Sequence, residues 1–130
     1  MKVVAFNGSP RRDGNTRLII DTVLDELNLA GIDTEVFQVG GKLVHGCTAC
    51  GKCRELQDGR CHIKNDLLNE AMAKMIEADG IILGSPVYFA DVTTEMKALI
   101  DVAGYATRSG GHLLARKVGA GVVVARRAGL

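Results

Sequence analysis

With 130 residues, 47% of them apolar, and a formal net charge of +1, the chain suits one globular domain that buries about two-thirds of its unfolded surface. Scattered Lys and Arg, and aromatics limited to two Tyr and three Phe, exclude a nucleic-acid or base-stacking surface. No apolar run nears the ~20 residues of a membrane span, and Lys2 leads into a short strand with no signal-peptide h-region, so the expected compartment is the cytoplasm. Four cysteines in a reducing compartment read as metal ligands or redox groups before structural disulfides.

Lys2 to Phe6 predicts a central strand, short and apolar throughout. The turn Gly8-Ser9-Pro10-Arg11-Arg12-Asp13-Gly14-Asn15-Thr16 follows, then a helix from about Thr16 with Ile19, Ile20, Val23, Leu24 and Leu27 on its apolar face, ended by Gly31. A strand start, a glycine-bearing turn and a helix N-terminus together make an anion site, because the first helical amides lack acceptors and carry partial positive charge. Ser9 and Thr16 add hydroxyls, Asn15 an amide, and Arg11 or Arg12 a cation. The triphosphate-binding loop is excluded, since Gly8 and Gly14 stand one residue too far apart and Asn15 replaces the lysine; the Gly-x-Gly-x2-Gly dinucleotide fingerprint is absent. What remains is a terminal monophosphate, as on a mononucleotide such as FMN.

Thr34 to Val39, mixed in polarity, predicts a strand nearer a sheet edge. From Gly40 to about Lys64 no period survives, and a loop of that length in a small domain is usually functional. It carries Cys47, Cys50, Cys53 and Cys61 with spacing Cys-x2-Cys-x2-Cys-x7-Cys. Three cysteines at successive x2 intervals wrap one corner of a [4Fe–4S] cubane, with the fourth ligand from downstream. Structural zinc more often uses two separated knuckles; zinc and metal-free thiols stay open as alternatives. His62 is a loop histidine beside Cys61, and His45 and His112 are expected on the surface.

Leu67, Leu68, Ala71, Met72, Met75 and Ile76 restore helical spacing, with both methionines in the core rather than ligands. Gly80 to Gly84 predicts a third strand, leading into Ser85-Pro86-Val87-Tyr88-Phe89-Ala90. A helix with Met96, Leu99, Ile100 and Ala103 on one face comes next, then a loop over 105–112, a strand over Val118–Val124, and the tail Arg126-Arg127-Ala128-Gly129-Leu130. Strand–helix alternation predicts an α/β fold, a doubly wound parallel sheet with right-handed crossovers. Ligands in such sheets sit at the C-terminal strand ends, which would gather the phosphate turn, the Pro86–Ala90 loop, the tail and the cysteines on one rim.

Three motifs, in order, resemble a known family: Ser9-Pro10-Arg11 through Gly14-Asn15-Thr16, the cysteine loop, and Gly84-Ser85-Pro86-Val87-Tyr88-Phe89. They are similar to the NADPH-dependent FMN reductase-like branch of the flavodoxin-like fold, and more narrowly to the iron–sulfur flavoproteins, over residues 1–130. That resemblance implies strand order 2-1-3-4-5, with a fifth strand and last helix for which no sequence remains here. It implies FMN, with Ser9, Arg11, Asn15 and Thr16 at its phosphate and Pro86, Val87, Tyr88 and Phe89 beside its ring. Ala125, Arg126 and Gly129 would approach from the other side. Where relatives carry Asp-Arg, this chain has Asp101-Val102, so no role for that arginine carries over.

The function expected is a single-domain oxidoreductase or electron-transfer flavoprotein, with a cysteine-rich insert at 40–64, coupling FMN to a [4Fe–4S] cluster. NAD(P)H is a candidate co-substrate, and a small molecule or protein the electron donor or acceptor. A homo-oligomer is expected, and no side chain need act as acid or base. The rivals are an FMN or quinone reductase without a cluster, a flavodoxin-type carrier, and a zinc-stabilised module without flavin.

Overall fold

Val3, Val4, Ala5 and Phe6 are all buried, and they alternate between two cores. A strand whose successive side chains point to opposite faces can bury every residue only when both faces are covered. The computed structural model, which describes residues 1–63 and 66–129, shows that arrangement. Its elements are β1 (Lys2–Asn7), α1 (Asn15–Leu29), β2 (Asp33–Gln38), α2 (Lys52–Leu56), α3 (Asp66–Glu77), β3 (Gly80–Pro86), α4 (Thr94–Ser109) and β4 (Val118–Val124). The strands pair parallel in the order β2-β1-β3-β4, with Phe6 opposite Phe37 and Leu83. The fold class and strand order are those expected, and β2 lies at an edge, as its mixed polarity implied.

One face packs Val3, Ala5, Ile82 and Val122 against Ile20 and Leu24 of α1. The other packs Val4, Phe6 and Phe37 against Leu68, Met72 and Met75 of α3 and Met96, Leu99 and Val102 of α4. Met72 and Met75 are thus core residues, 1% and 3% exposed. Lys117 closes the end of α3, its Nζ donating to the carbonyls of Ile76 at 2.7 Å and Ala78 at 2.6 Å. A cation at a helix C-terminus also meets the negative end of the dipole.

Four expectations are corrected. The expected loop over 105–112 is helix as far as Ser109, because Val102, Ala103 and Ala106 continue the buried stripe and one glycine, Gly104, does not break it. The core face of α1 is narrower than its apolar residues suggest: Ile20 and Leu24 are buried, whereas Ile19 and Val23 on its flank are exposed. Ile100 is likewise exposed, beside the outer strand β4. The cysteine loop also contains the short helix α2, and its expected end at Lys64 lies outside the described residues.

Candidate functional site

β1 delivers the chain into the phosphate turn, and side chains of its neighbours fix that turn in place. Ser9 N–H donates to Asn7 Oδ1 at 3.0 Å, and Arg11 N–H donates to Ser9 Oγ at 3.2 Å. Asn7 Nδ2 donates to Gln38 Oε1, and Gln38 Nε2 donates to the carbonyls of Ser9 and Gly40 at 2.7 and 2.8 Å. Gly40 is pressed so closely on the turn that a Cβ there would stand 2.3 Å from Gly8 O and Ser9 C. Ser9 and Thr16 are 4% and 2% exposed, while Arg11 and Asn15 are exposed.

The start of α1 is the chemically telling part. Its N-cap, Gly14, has no side chain to cap it, and no acidic residue occupies the first turn. The first-turn amides therefore present their partial positive charge without a protein counter-group from cap or first turn. Among the described residues no buried side-chain polar atom lacks a partner.

β3 runs beside the same turn and its following loop is tied to β4. Gly8 N–H donates to Gly84 O at 2.7 Å, and Val87 N–H donates to Val124 O at 2.8 Å. Tyr88 and Asp91 exchange backbone hydrogen bonds around a two-residue tip, Phe89-Ala90, whose φ values are +52° and +66°. Such a tip normally carries Asn or Gly, and non-glycine residues held there are strained. Tyr88 is half-exposed and Phe89 wholly exposed, so neither is a core residue under the loop. Pro86 and Val87 are half-buried. The tail meets this loop: a Cβ on Gly129 would stand 3.2 Å from Val87 Cγ1, while Ala125 is half-buried and Arg126 and Arg127 exposed.

Cys47, Cys50, Cys53 and Cys61 line one hollow of about 120 Å³, with Arg54, His62 and the α4 residues Val102, Tyr105 and Ala106. None of the four is in a disulfide; Cys47 and Cys50 are exposed, Cys53 and Cys61 half-buried. Asn69 holds Cys61 at two points, its Oδ1 accepting from Cys61 N at 2.9 Å and its Nδ2 donating to Cys61 O at 2.8 Å. Asp58 hydrogen-bonds His62, and that partner holds the carboxyl below its usual pKa range. Among the described residues no three metal-ligating side chains are gathered closely enough to hold an ion as they stand. Thiol donors ringing one hollow nonetheless have the chemistry an iron–sulfur group requires.

The cysteines do not join the rim, contrary to expectation. The loop begins there, where Gly41 N–H donates to Glu95 Oε1 at 2.9 Å. Burial tends to raise the pKa of Glu95, but hydrogen bonds from its own amide, Gly41 and Thr94 outweigh that and lower it. The hollow's α4 wall lies nine to thirteen residues past Thr93. At a rise of 1.5 Å per residue that is roughly 14–20 Å along the helix.

Sequence reasoning missed the polar residues that fasten these loops together: Asn7, Gln38, Asn69, Ser85, Thr93 and Glu95. Thr93 caps α4, accepting from Met96 N, and its place before an apolar-periodic run was the one local signal available.

A β2-β1-β3-β4 parallel sheet, whose first strand runs through a glycine-bearing turn into a helix with no side-chain cap, defines a flavodoxin-like α/β protein. Comparison with known proteins narrows this: residues 1–130 match the NADPH-dependent FMN reductase family, and the chain belongs to that family. It is 45% identical over 101 residues to an iron–sulfur flavoprotein of Methanocaldococcus jannaschii, covering 78% of this chain and 51% of that one. It is 37% identical over 124 residues to an iron–sulfur flavoprotein of Methanosarcina thermophila, covering 95% and 63%. Among solved structures, an NAD(P)H:quinone oxidoreductase from Methanothermobacter marburgensis superposes with a TM-score of 0.70 at 17% identity, covering 96% of this chain and 63% of that one, a likeness of fold. The chain spans about half the length of the curated relatives it matches. No helix among the described residues is long and apolar enough to cross a membrane.

Proposed function

We propose that the chain is the FMN-binding part of an oxidoreductase that couples FMN to a [4Fe–4S] cluster. The observation that carries the flavin reading is the uncapped start of α1 above the buried Ser9 and Thr16, at the same sheet edge as an exposed aromatic loop. Amides of the first turn, with Ser9, Arg11, Asn15 and Thr16, hold the phosphate. Pro86, Val87, Tyr88 and Phe89 form one side of the ring site; Ala125, Arg126 and Gly129 form the other. Arg126 and Arg127 put positive charge beside the ring, where electron density rises on reduction. Cys47, Cys50, Cys53 and Cys61 hold the cluster, and the iron–sulfur flavoprotein names of the relatives support that ligand set.

When bound, FMN exchanges electrons singly or in pairs and a cluster exchanges them singly, so the pair converts one mode to the other. NAD(P)H is the proposed electron source, with a small molecule or protein as acceptor and a homo-oligomer as the working form. The protein contributes position and charge. Anaerobic purification with quantification of flavin, iron and sulfide tests this: about one FMN and four irons per chain are expected on stoichiometric grounds. A flavin spectrum without iron removes the cluster, and colourless protein containing zinc overturns both assignments. Steady oxidation of NAD(P)H by the loaded protein separates a reductase from a one-electron carrier.

A further inference from the structure

The phosphate turn and the ring loop share one buried connection that the function above leaves unused. Thr93, 1% exposed, ends the ring loop and begins α4. Its hydroxyl donates to Gly8 O at 2.7 Å and accepts from Met96 N at 3.3 Å. Its own N–H donates to Ser85 Oγ at 3.0 Å, and that hydroxyl donates to Pro86 O at 2.9 Å. Thr93 and Ser85 thus clasp the two ends of the ring loop together and tie both to Gly8.

The atom they hold matters. The Gly8 carbonyl belongs to the same peptide unit as Ser9 N–H, which donates to Asn7 Oδ1. One side of that peptide is therefore set by Asn7 and the other by Thr93. A rotation of the peptide would strand a buried carbonyl or a buried amide. Capping alone does not require this geometry: the bond to Met96 N caps α4, and the additional donation to Gly8 O reaches 85 residues along the chain.

We infer that the Thr93 hydroxyl, with Ser85, makes occupation of the phosphate turn and of the ring loop mutually reinforcing. The inference rests on the FMN reading and deepens it. An anion drawn to the first-turn amides of α1 stiffens the turn that contains the Gly8–Ser9 peptide, and the Thr93 hydroxyl bonded to Gly8 O passes that constraint to the end of the loop bearing the Phe89–Ala90 tip. By linkage, the ring strengthens the hold on the anion by the same factor. Thr93 is a positioning residue, since it is 1% exposed and its hydroxyl is taken by Gly8 O and Met96 N.

The test separates the two halves. Riboflavin, which lacks the phosphate, is titrated by fluorescence quenching in inorganic phosphate and in chloride at equal ionic strength. Phosphate should tighten riboflavin binding about tenfold in the wild type and in Thr93→Ser, a coupling of ordinary size. In Thr93→Val and Ser85→Ala the factor should fall below about twofold. A uniform loss of stability does not move this ratio, because both titrations use the same folded protein. The full factor in Thr93→Val overturns the inference, and if that variant does not fold, the full factor in Ser85→Ala does so instead. FMN binding by a wild type that shows no phosphate effect on riboflavin overturns the coupling alone. Failure of the wild type to bind FMN at all overturns the FMN reading and the coupling with it.

Discussion

Replacing Gly40 by alanine tests the packing beneath the phosphate turn. The added Cβ would stand 2.3 Å from Gly8 O and Ser9 C and 2.4 Å from Ser9 O, all backbone atoms. Ordinary carbon contacts lie at about 3.5–4.0 Å, so the turn must withdraw by more than ~1 Å. Withdrawal stretches the bonds from Ser9 N to Asn7, from Gln38 to Ser9 O and from Thr93 to Gly8 O. Three hydrogen bonds at about 1 kcal/mol each, or equivalently the upper part of the 1–3 kcal/mol range for overpacking, give an expected loss of about 3 kcal/mol. Gly104→Ala is the control. A Cβ on Gly104, in the middle of α4, meets nothing within 4 Å, so alanine there should stabilise by about 0.5–1 kcal/mol through helix propensity. Urea unfolding of both variants, with FMN titration of each, reads the contrast. A Gly40→Ala protein within about 1 kcal/mol of wild type and unchanged in FMN affinity would refute the reasoning.

Other outcomes follow from single contacts. Lys117→Met should lower stability by about 1–3 kcal/mol, since it leaves two carbonyls at the end of α3 without their charged donor; an unchanged urea midpoint would show that water replaces it. Ser9→Ala with Thr16→Val should weaken FMN by about 1–3 kcal/mol and leave riboflavin affinity nearly unchanged; equal loss for both flavins would place the phosphate elsewhere. Cys50→Ser should abolish iron binding while flavin content stays near that of wild type, and retained iron would remove Cys50 from the ligand set. Hydrogen bonds from Lys74, chiefly, and Lys2 hold the Glu35 carboxyl below its usual value of 4.5. The stability this brings is present above that unfolded value and disappears as pH falls through the lower folded one. Glu35→Gln should therefore lose less stability than wild type on acidification below about pH 4.5, and parallel acid profiles would sink the assignment.

Local pattern and chain order determined much of this protein. The continuous apolar run at Val3–Phe6 required a strand covered on both sides, and alternation of strand and helix required parallel pairing through crossovers. A glycine-bearing turn before a helix implied an anion site with no knowledge of its surroundings. These properties depend on neighbours in sequence, so periodicity and residue type reveal them. The α4 boundary failed for the complementary reason: Gly104, Ser109 and Gly110 signal a loop locally, but burial of Val102, Ala103 and Ala106 carries the helix through.

Only the tertiary structure decided which residues bind the loops into one site. Asn7 and Gln38, or Gly8 and Thr93, lie 31 and 85 residues apart, and no spacing rule predicts that a hydroxyl will meet a carbonyl across that interval. It also decided that the cysteine hollow sits well down α4 rather than on the rim. The path of a long loop is set by what its side chains pack against, here Val102, Tyr105 and Ala106, and not by where the loop begins.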